Sequence, residues 1–94
     1  MTPEATIKAK IRSYLVDELH AYYFAPVQMG IGVSTLDILC CINGRFVGIE
    51  VKVPGKKPTP RQNFNIKAIN DAGGVAFWTD SLEYTKTMLE AAGL

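Results

Sequence analysis

Asp37, Glu50 and Lys52 are separated along the chain, yet one short turn is enough to gather them. They flank the run Leu36-Asp37-Ile38-Leu39-Cys40-Cys41-Ile42, then Asn43-Gly44, then Arg45 to Lys52. Asn-Gly between two apolar, β-branched runs predicts a two-residue type I′ turn, because both central residues need positive φ. That turn sets Ile42 opposite Arg45, Cys40 opposite Val47 and Asp37 opposite Glu50. Opposite residues of an antiparallel pair share a face, about 4.5–5.5 Å apart at Cβ. Side chains repeat every second residue, so Lys52 joins Glu50 on that face. Two carboxylates and an ammonium on one spot suit metal-assisted phosphodiester hydrolysis. Carboxylate oxygens are natural ligands for Mg²⁺. A bound metal lowers the pKa of its water and stabilises charge developing on a phosphate. Lys52 would orient or help deprotonate the attacking water, or neutralise the transition state. The plainer alternative is a salt bridge on a half-exposed sheet. Like charges directly opposite one another destabilise a sheet, and a cation between Asp37 and Glu50 would relieve that.

The elements that must position these residues are legible in outline. Ile38, Cys40 and Ile42 meet Val47, Ile49 and Val51 on the other face of the hairpin, which reads as core. Thr2-Pro3 is a cap followed by Pro at the first helical position. The helix it opens carries the stripe Ile7, Ile11, Tyr14, Leu15 and Leu19. Glu4 begins that stripe, either as a partner of the helix dipole or as a third carboxylate at the hairpin. Tyr22 to Val27 reads as a strand ended by Pro26, and Met29 to Thr35 as a loop that could form a lip over the cleft. Thr59-Pro60 opens a second helix, ended near Gly73-Gly74, with an inward stripe of Gln62, Ile66 and Ile69. Gln62 could bond a neighbouring backbone group or reach the acid pair. Val75 to Thr79 reads as a buried strand, and Ser81 as the cap of a last helix carrying Leu82, Met88 and Leu89. The order is α-β-β-β-α-β-α, an α/β fold with a mixed central sheet flanked by helices.

A chain of 94 residues with a net charge of +1 makes one small domain without a global field for nucleic acid. Any basic surface must therefore be local. From Val51 to Asn70 there is no acid, while Lys52, Lys56, Lys57, Arg61 and Lys67 are basic. This is either a solvated loop or a grip on DNA phosphates, which position a duplex without reading it. His20 is the only histidine, so no nucleophilic triad is available. The Gly30 and Gly32 loop is neither a Walker A nor a dinucleotide motif, so no nucleotide cofactor is expected. Cys40 and Cys41 read as buried thiols of a reducing cytosol. Tyr22, Tyr23, Phe24, Phe77 and Trp78 read as core rather than as base-stacking platforms. No secretory signal and no membrane-length apolar run are visible, so a cytoplasmic location is expected.

Asp37, then Gly44-Arg45-Phe46-Val47-Gly48-Ile49-Glu50-Val51-Lys52, then Pro54-Gly55-Lys56-Lys57-Pro58-Thr59-Pro60 and Gln62, together resemble the virus-type replication-repair nuclease (VRR-NUC) family of the PD-(D/E)xK nucleases. Leu36 stands where that pattern often has proline. The resemblance implies one VRR-NUC domain over residues 1–94, with a restriction-endonuclease-like core and Mg²⁺ or Mn²⁺ as cofactor. It implies metal binding by Asp37, Glu50 and the Val51 backbone carbonyl, with Glu4 assisting. It implies catalytic roles for Asp37, Glu50, Lys52, Gln62 and Glu4; the DNA contacts expected from Lys56, Lys57, Arg61 and Lys67 come from the basic run itself. Stand-alone phage and bacterial members of this size look like Holliday junction resolvases and tend to be homodimers. The expected partners are thus branched DNA and a second copy. The first helix, the Met29 to Thr35 loop and the last helix are candidate dimer surfaces. A flap or branch nuclease, and a non-catalytic DNA-binding module, are the alternative readings.

Overall fold

The computed structural model describes residues 1–27 and 34–94. Most of the expected Met29 to Thr35 loop lies outside the described residues.

Helix α1 (Pro3–Ser13) starts as its residues demand: the Thr2 side chain accepts from the Ala5 N–H at 3.1 Å, and Pro3 fills the first turn. The helix then widens into a π-helical segment, Tyr14–Glu18, which the periodicity alone did not indicate. His20 follows at φ 56°, the left-handed position that closes a helix. Strand β1 is only Tyr22–Phe24, shorter than expected, because Pro26 has no N–H for a ladder and pushes its predecessor off pattern.

Strands β2 (Ile38–Ile42) and β3 (Arg45–Val51) form the predicted hairpin. Asn43 and Gly44 both have positive φ, at 50° and 78°. The register pairs Ile42 with Arg45, Cys40 with Val47 and Ile38 with Ile49. Helix α2 (Pro60–Asp71) crosses over to strand β4 (Val75–Thr79), which runs parallel to β3. Helix α3 (Leu82–Ala91) follows, capped by Ser81. The sheet order is β1-β2-β3-β4, mixed as expected.

One sheet face carries Ile38, Cys40, Ile42, Val47, Ile49, Val51 and Phe77, all nearly inaccessible, against Ile11, Leu15 and Leu89 of the helical layer. The other face has less cover. Tyr22 and Phe24 are exposed there, beside Cys41 and Phe46, and with Leu39 they line a cavity of about 430 Å³. The expectation that Tyr22 and Phe24 belong to the core is therefore corrected. Alternation on a three-residue strand puts both on the same face as Gly48, beyond the stretch of β3 and β4 that α2 covers, while Tyr23 packs inward. The pair of buried thiols is corrected in the same way: Cys40 is buried and Cys41 exposed.

Close approach of α2 depends on Gly48. A Cβ there would lie 2.8 Å from Ile69 Cδ1 and 3.0 Å from Leu36 Cδ1. Leu36 is fully buried and fills the space over Gly48. Both contacts are to flexible side-chain ends, so Gly48→Ala is expected to be mild. Gly48→Val should cost about 3 kcal/mol, the upper range of overpacking, read as a lower urea midpoint. A valine variant as stable as wild type would show that α2 is not seated on this glycine.

Candidate active site

The ladder between β2 and β3 stops at Ile38 and Ile49, one rung short of the acids. Asp37 and Glu50 are joined by side-chain to main-chain bonds instead. The Asp37 N–H donates to Glu50 Oε1 at 3.2 Å, and the Val51 N–H donates to Asp37 Oδ2 at 2.9 Å. Each acid thus holds the backbone beside the other. Glu50 is 3% exposed, an unusual place for a carboxylate. Burial first, and Asp37 second, push its carboxyl up to about 7.

Lys52 Nζ lies 3.7 Å from Glu50 Oε2, on the face predicted by the period of two. Its N–H donates to the Thr79 carbonyl at 2.9 Å, which ties the end of β3 to β4. Gln62 does both things its position allowed. The Thr59 N–H donates to Gln62 Oε1 at 2.9 Å, completing a capping box, and Gln62 Nε2 donates to Glu50 Oε2 at 3.0 Å. The cap of α2 and the site therefore share one residue, and the helix start delivers its amide to the acid pair.

Glu4 comes to the site through an intermediary. Its Oε2 lies 3.5 Å from Lys8 Nζ, and Lys8 Nζ lies 3.4 Å from Asp37 Oδ1. Burial works to lower the Lys8 pKa, but Asp37 and Glu4 outweigh it and hold the ammonium above its ordinary value. Lys8 was absent from the residues expected here. Its signal was the i,i+4 spacing from Glu4 on the same helix face.

The basic residues divide. Lys56, Lys57 and Arg61 are exposed between the end of β3 and the first turn of α2. Lys67 is paired at 2.5 Å with Asp71, one turn further along α2 and just past the acid-free stretch. Two asparagines that the sequence did not single out brace this helix. Asn65 Nδ2 donates to the Ser34 carbonyl at 3.3 Å. Asn70 donates to the Ala76 carbonyl at 3.0 Å and accepts from the Ala76 N–H at 2.8 Å.

A hard divalent cation fits this donor set. Two carboxylates are held side by side through main-chain N–H groups, one almost without solvent, and they repel each other unless a proton or a cation intervenes. Among the described residues no group of three or more His, Cys, Asp and Glu could hold a metal. The remaining positions would fall to a main-chain carbonyl, water and substrate, as is usual for Mg²⁺.

Fold and site define a class: a mixed α/β sheet with an acid pair and a lysine where the end of the sheet meets the start of a helix. A solved structure described as a VRR_NUC domain is similar, with a TM-score of 0.76 at 21% identity over 96% of this chain and 97% of that one. The chain has the VRR_NUC fold. No family model matches the sequence, and no curated protein does. Among the described residues no helix is long and apolar enough to cross a membrane.

Proposed function

We propose that residues 1–94 form a VRR-NUC nuclease domain: a divalent-metal-dependent endodeoxyribonuclease that resolves four-way DNA junctions as a homodimer. The observation that carries this reading is the convergence of Asp37, Glu50, Lys52 and Gln62 within hydrogen-bond or ion-pair reach, on a chain with the VRR_NUC fold.

Asp37 and Glu50 would hold Mg²⁺ or Mn²⁺. The Val51 carbonyl is a further candidate, because the N–H and C=O of one strand residue point the same way and the Val51 N–H points at Asp37. The metal, when bound, would supply an activated water and charge stabilisation at the phosphate. Lys52 places its ammonium beside Glu50, where it can orient that water or meet charge on the phosphate. Gln62 fixes the orientation of the Glu50 carboxylate from the side of α2. Glu4 acts at the edge of the site.

Lys56, Lys57 and Arg61 would contact phosphates beside the scissile bond. Lys67 contributes least, because Asp71 already neutralises it. Symmetric nicking of two opposed strands calls for two sites related by a two-fold axis. The exposed strip of Tyr22, Phe24, Cys41 and Phe46 is the surface this reading gives to the second copy, in place of α1 or α3. A cytoplasmic location follows from the substrate.

The test is cleavage of synthetic four-way junctions, flaps, forks and plain duplex in Mg²⁺ and in Mn²⁺. Paired nicks across the junction are expected. Cleavage of flaps alone would keep the chemistry and discard the substrate. Binding without cleavage in either metal would leave a DNA-binding module.

A further inference from the structure

The site carries one more charged residue than hydrolysis at Asp37, Glu50 and Lys52 requires. Three of the four carboxylate oxygens face donors that are fixed in place. Asp37 Oδ2 takes the Val51 N–H, Glu50 Oε1 takes the Asp37 N–H, and Glu50 Oε2 takes the Gln62 amide. Asp37 Oδ1 differs. Its partner is the Lys8 ammonium at 3.4 Å, on a long side chain that is one-third exposed. With both acids ionised, the two lysines already balance them, so a divalent cation would overfill the site. Lys52 cannot easily withdraw, being 17% exposed on the end of a central strand. Lys8 can, because a second carboxylate, Glu4, waits 3.5 Å from its Nζ, one helical turn away.

We propose that Lys8 is a positioning residue that serves as the site's own counter-cation: it neutralises Asp37 until a divalent cation takes Oδ1, and Glu4 then retains its ammonium. This rests on the reading of Asp37 and Glu50 as metal ligands. It assigns Glu4 an action through Lys8, distinct from direct assistance to the metal. The Lys8 ammonium competes with the metal, so the site binds a cation more weakly than the two carboxylates would without it. It also lets the acid pair survive in a folded protein without metal.

The test is calorimetric titration of Mn²⁺ into the protein without DNA, with thermal unfolding in EDTA as the control for folding. Lys8→Met keeps the aliphatic stem and removes the charge. It should bind Mn²⁺ about five-fold more tightly, the scale of a partly exposed ion pair. It should also unfold at a lower temperature in EDTA. Lys8→Arg should bind as wild type does, and Lys8→Gln serves in place of Lys8→Met if that variant does not fold. Glu4→Gln should weaken binding about two-fold in the wild-type background and leave it unchanged in Lys8→Met, since coupled residues depart from additivity. Unchanged or weaker Mn²⁺ binding by Lys8→Met would overturn the proposal, because a merely structural lysine predicts that. Equal weakening by Glu4→Gln in both backgrounds would overturn it by making Glu4 a ligand itself. A wild-type protein that binds no Mn²⁺ would overturn the metal reading beneath it.

Discussion

Asp37→Asn is expected to reduce cleavage of a four-way junction by about a hundred- to ten-thousandfold, the range for loss of one group acting in the transition state. The substitution separates chemistry from folding. The asparagine carbonyl can still accept the Val51 N–H that Asp37 Oδ2 accepts at 2.9 Å. The Asp37 N–H still donates to Glu50 Oε1. Only the negative charge is lost, and with it one of the two carboxylates that would hold a divalent cation. Removing that charge relieves the repulsion on Glu50 but also ends the ion pair with Lys8 at 3.4 Å; the two effects oppose, so the metal-free variant should stay folded, within about 1 kcal/mol of wild type. Lys52→Met should lose activity on the same scale by another route. Its fold should persist, because the anchor of that residue to β4 is its own N–H on the Thr79 carbonyl. The measurement is single-turnover cleavage in Mn²⁺ beside the unfolding midpoint. A folded Asp37→Asn protein that cleaves within tenfold of wild type would place the chemistry elsewhere.

Glu50→Gln is expected to abolish a fall in metal-free stability that wild type undergoes between pH 5 and pH 8. Burial and then Asp37 hold the folded Glu50 carboxyl at about 7, against an ordinary 4.5. A folded pKa above the unfolded one means that the group's stabilising contribution is complete below pH 4.5. It fades as pH rises towards and through 7, where the folded protein must keep a charge that the unfolded chain solvates better. The slope attributable to Glu50 is on the order of 2–3 kcal/mol across that window. The difference between wild type and variant is the quantity to measure, because titrating groups remote from the acid pair cancel in it. Glutamine turns one oxygen into a donor facing the Gln62 amide, so the variant's absolute stability is a poorer readout than its slope. Mn²⁺ should correspondingly raise the wild-type midpoint more at pH 8 than at pH 5.5, because below 7 it must displace a proton. Wild-type stability that runs parallel to the variant's across the window would mean that Glu50 is ionised throughout.

The hairpin was legible because its information is local. Asn43-Gly44 dictates positive φ at two successive residues, and a period of two then assigns every side chain to a face. The core strip from Ile38 to Val51 and the charged strip of Asp37, Glu50 and Lys52 follow from that turn alone. Helix starts at Thr2-Pro3, Thr59-Pro60 and Ser81 were legible for the same reason, since a cap is a bond between residues three apart. The order of elements and the crossover to β4 came with them.

Contacts between elements that no local period links were beyond the sequence by itself. That Gln62 closes a capping box and also holds Glu50 depends on where the crossover sets down α2, which Gly48, Leu36 and Ile69 decide by fit. That Glu4 meets Lys8, and Lys8 meets Asp37, depends on how α1 lies along the sheet edge. Tyr22 and Phe24 looked like core because aromatic residues usually are, but whether a sheet face is covered is settled by which helices reach it. Register and caps are short-range properties of a chain with few allowed backbone conformations. Which charge neutralises which is a property of packing, and only the assembled layers bring a lysine from the first helix to an acid at the start of the hairpin.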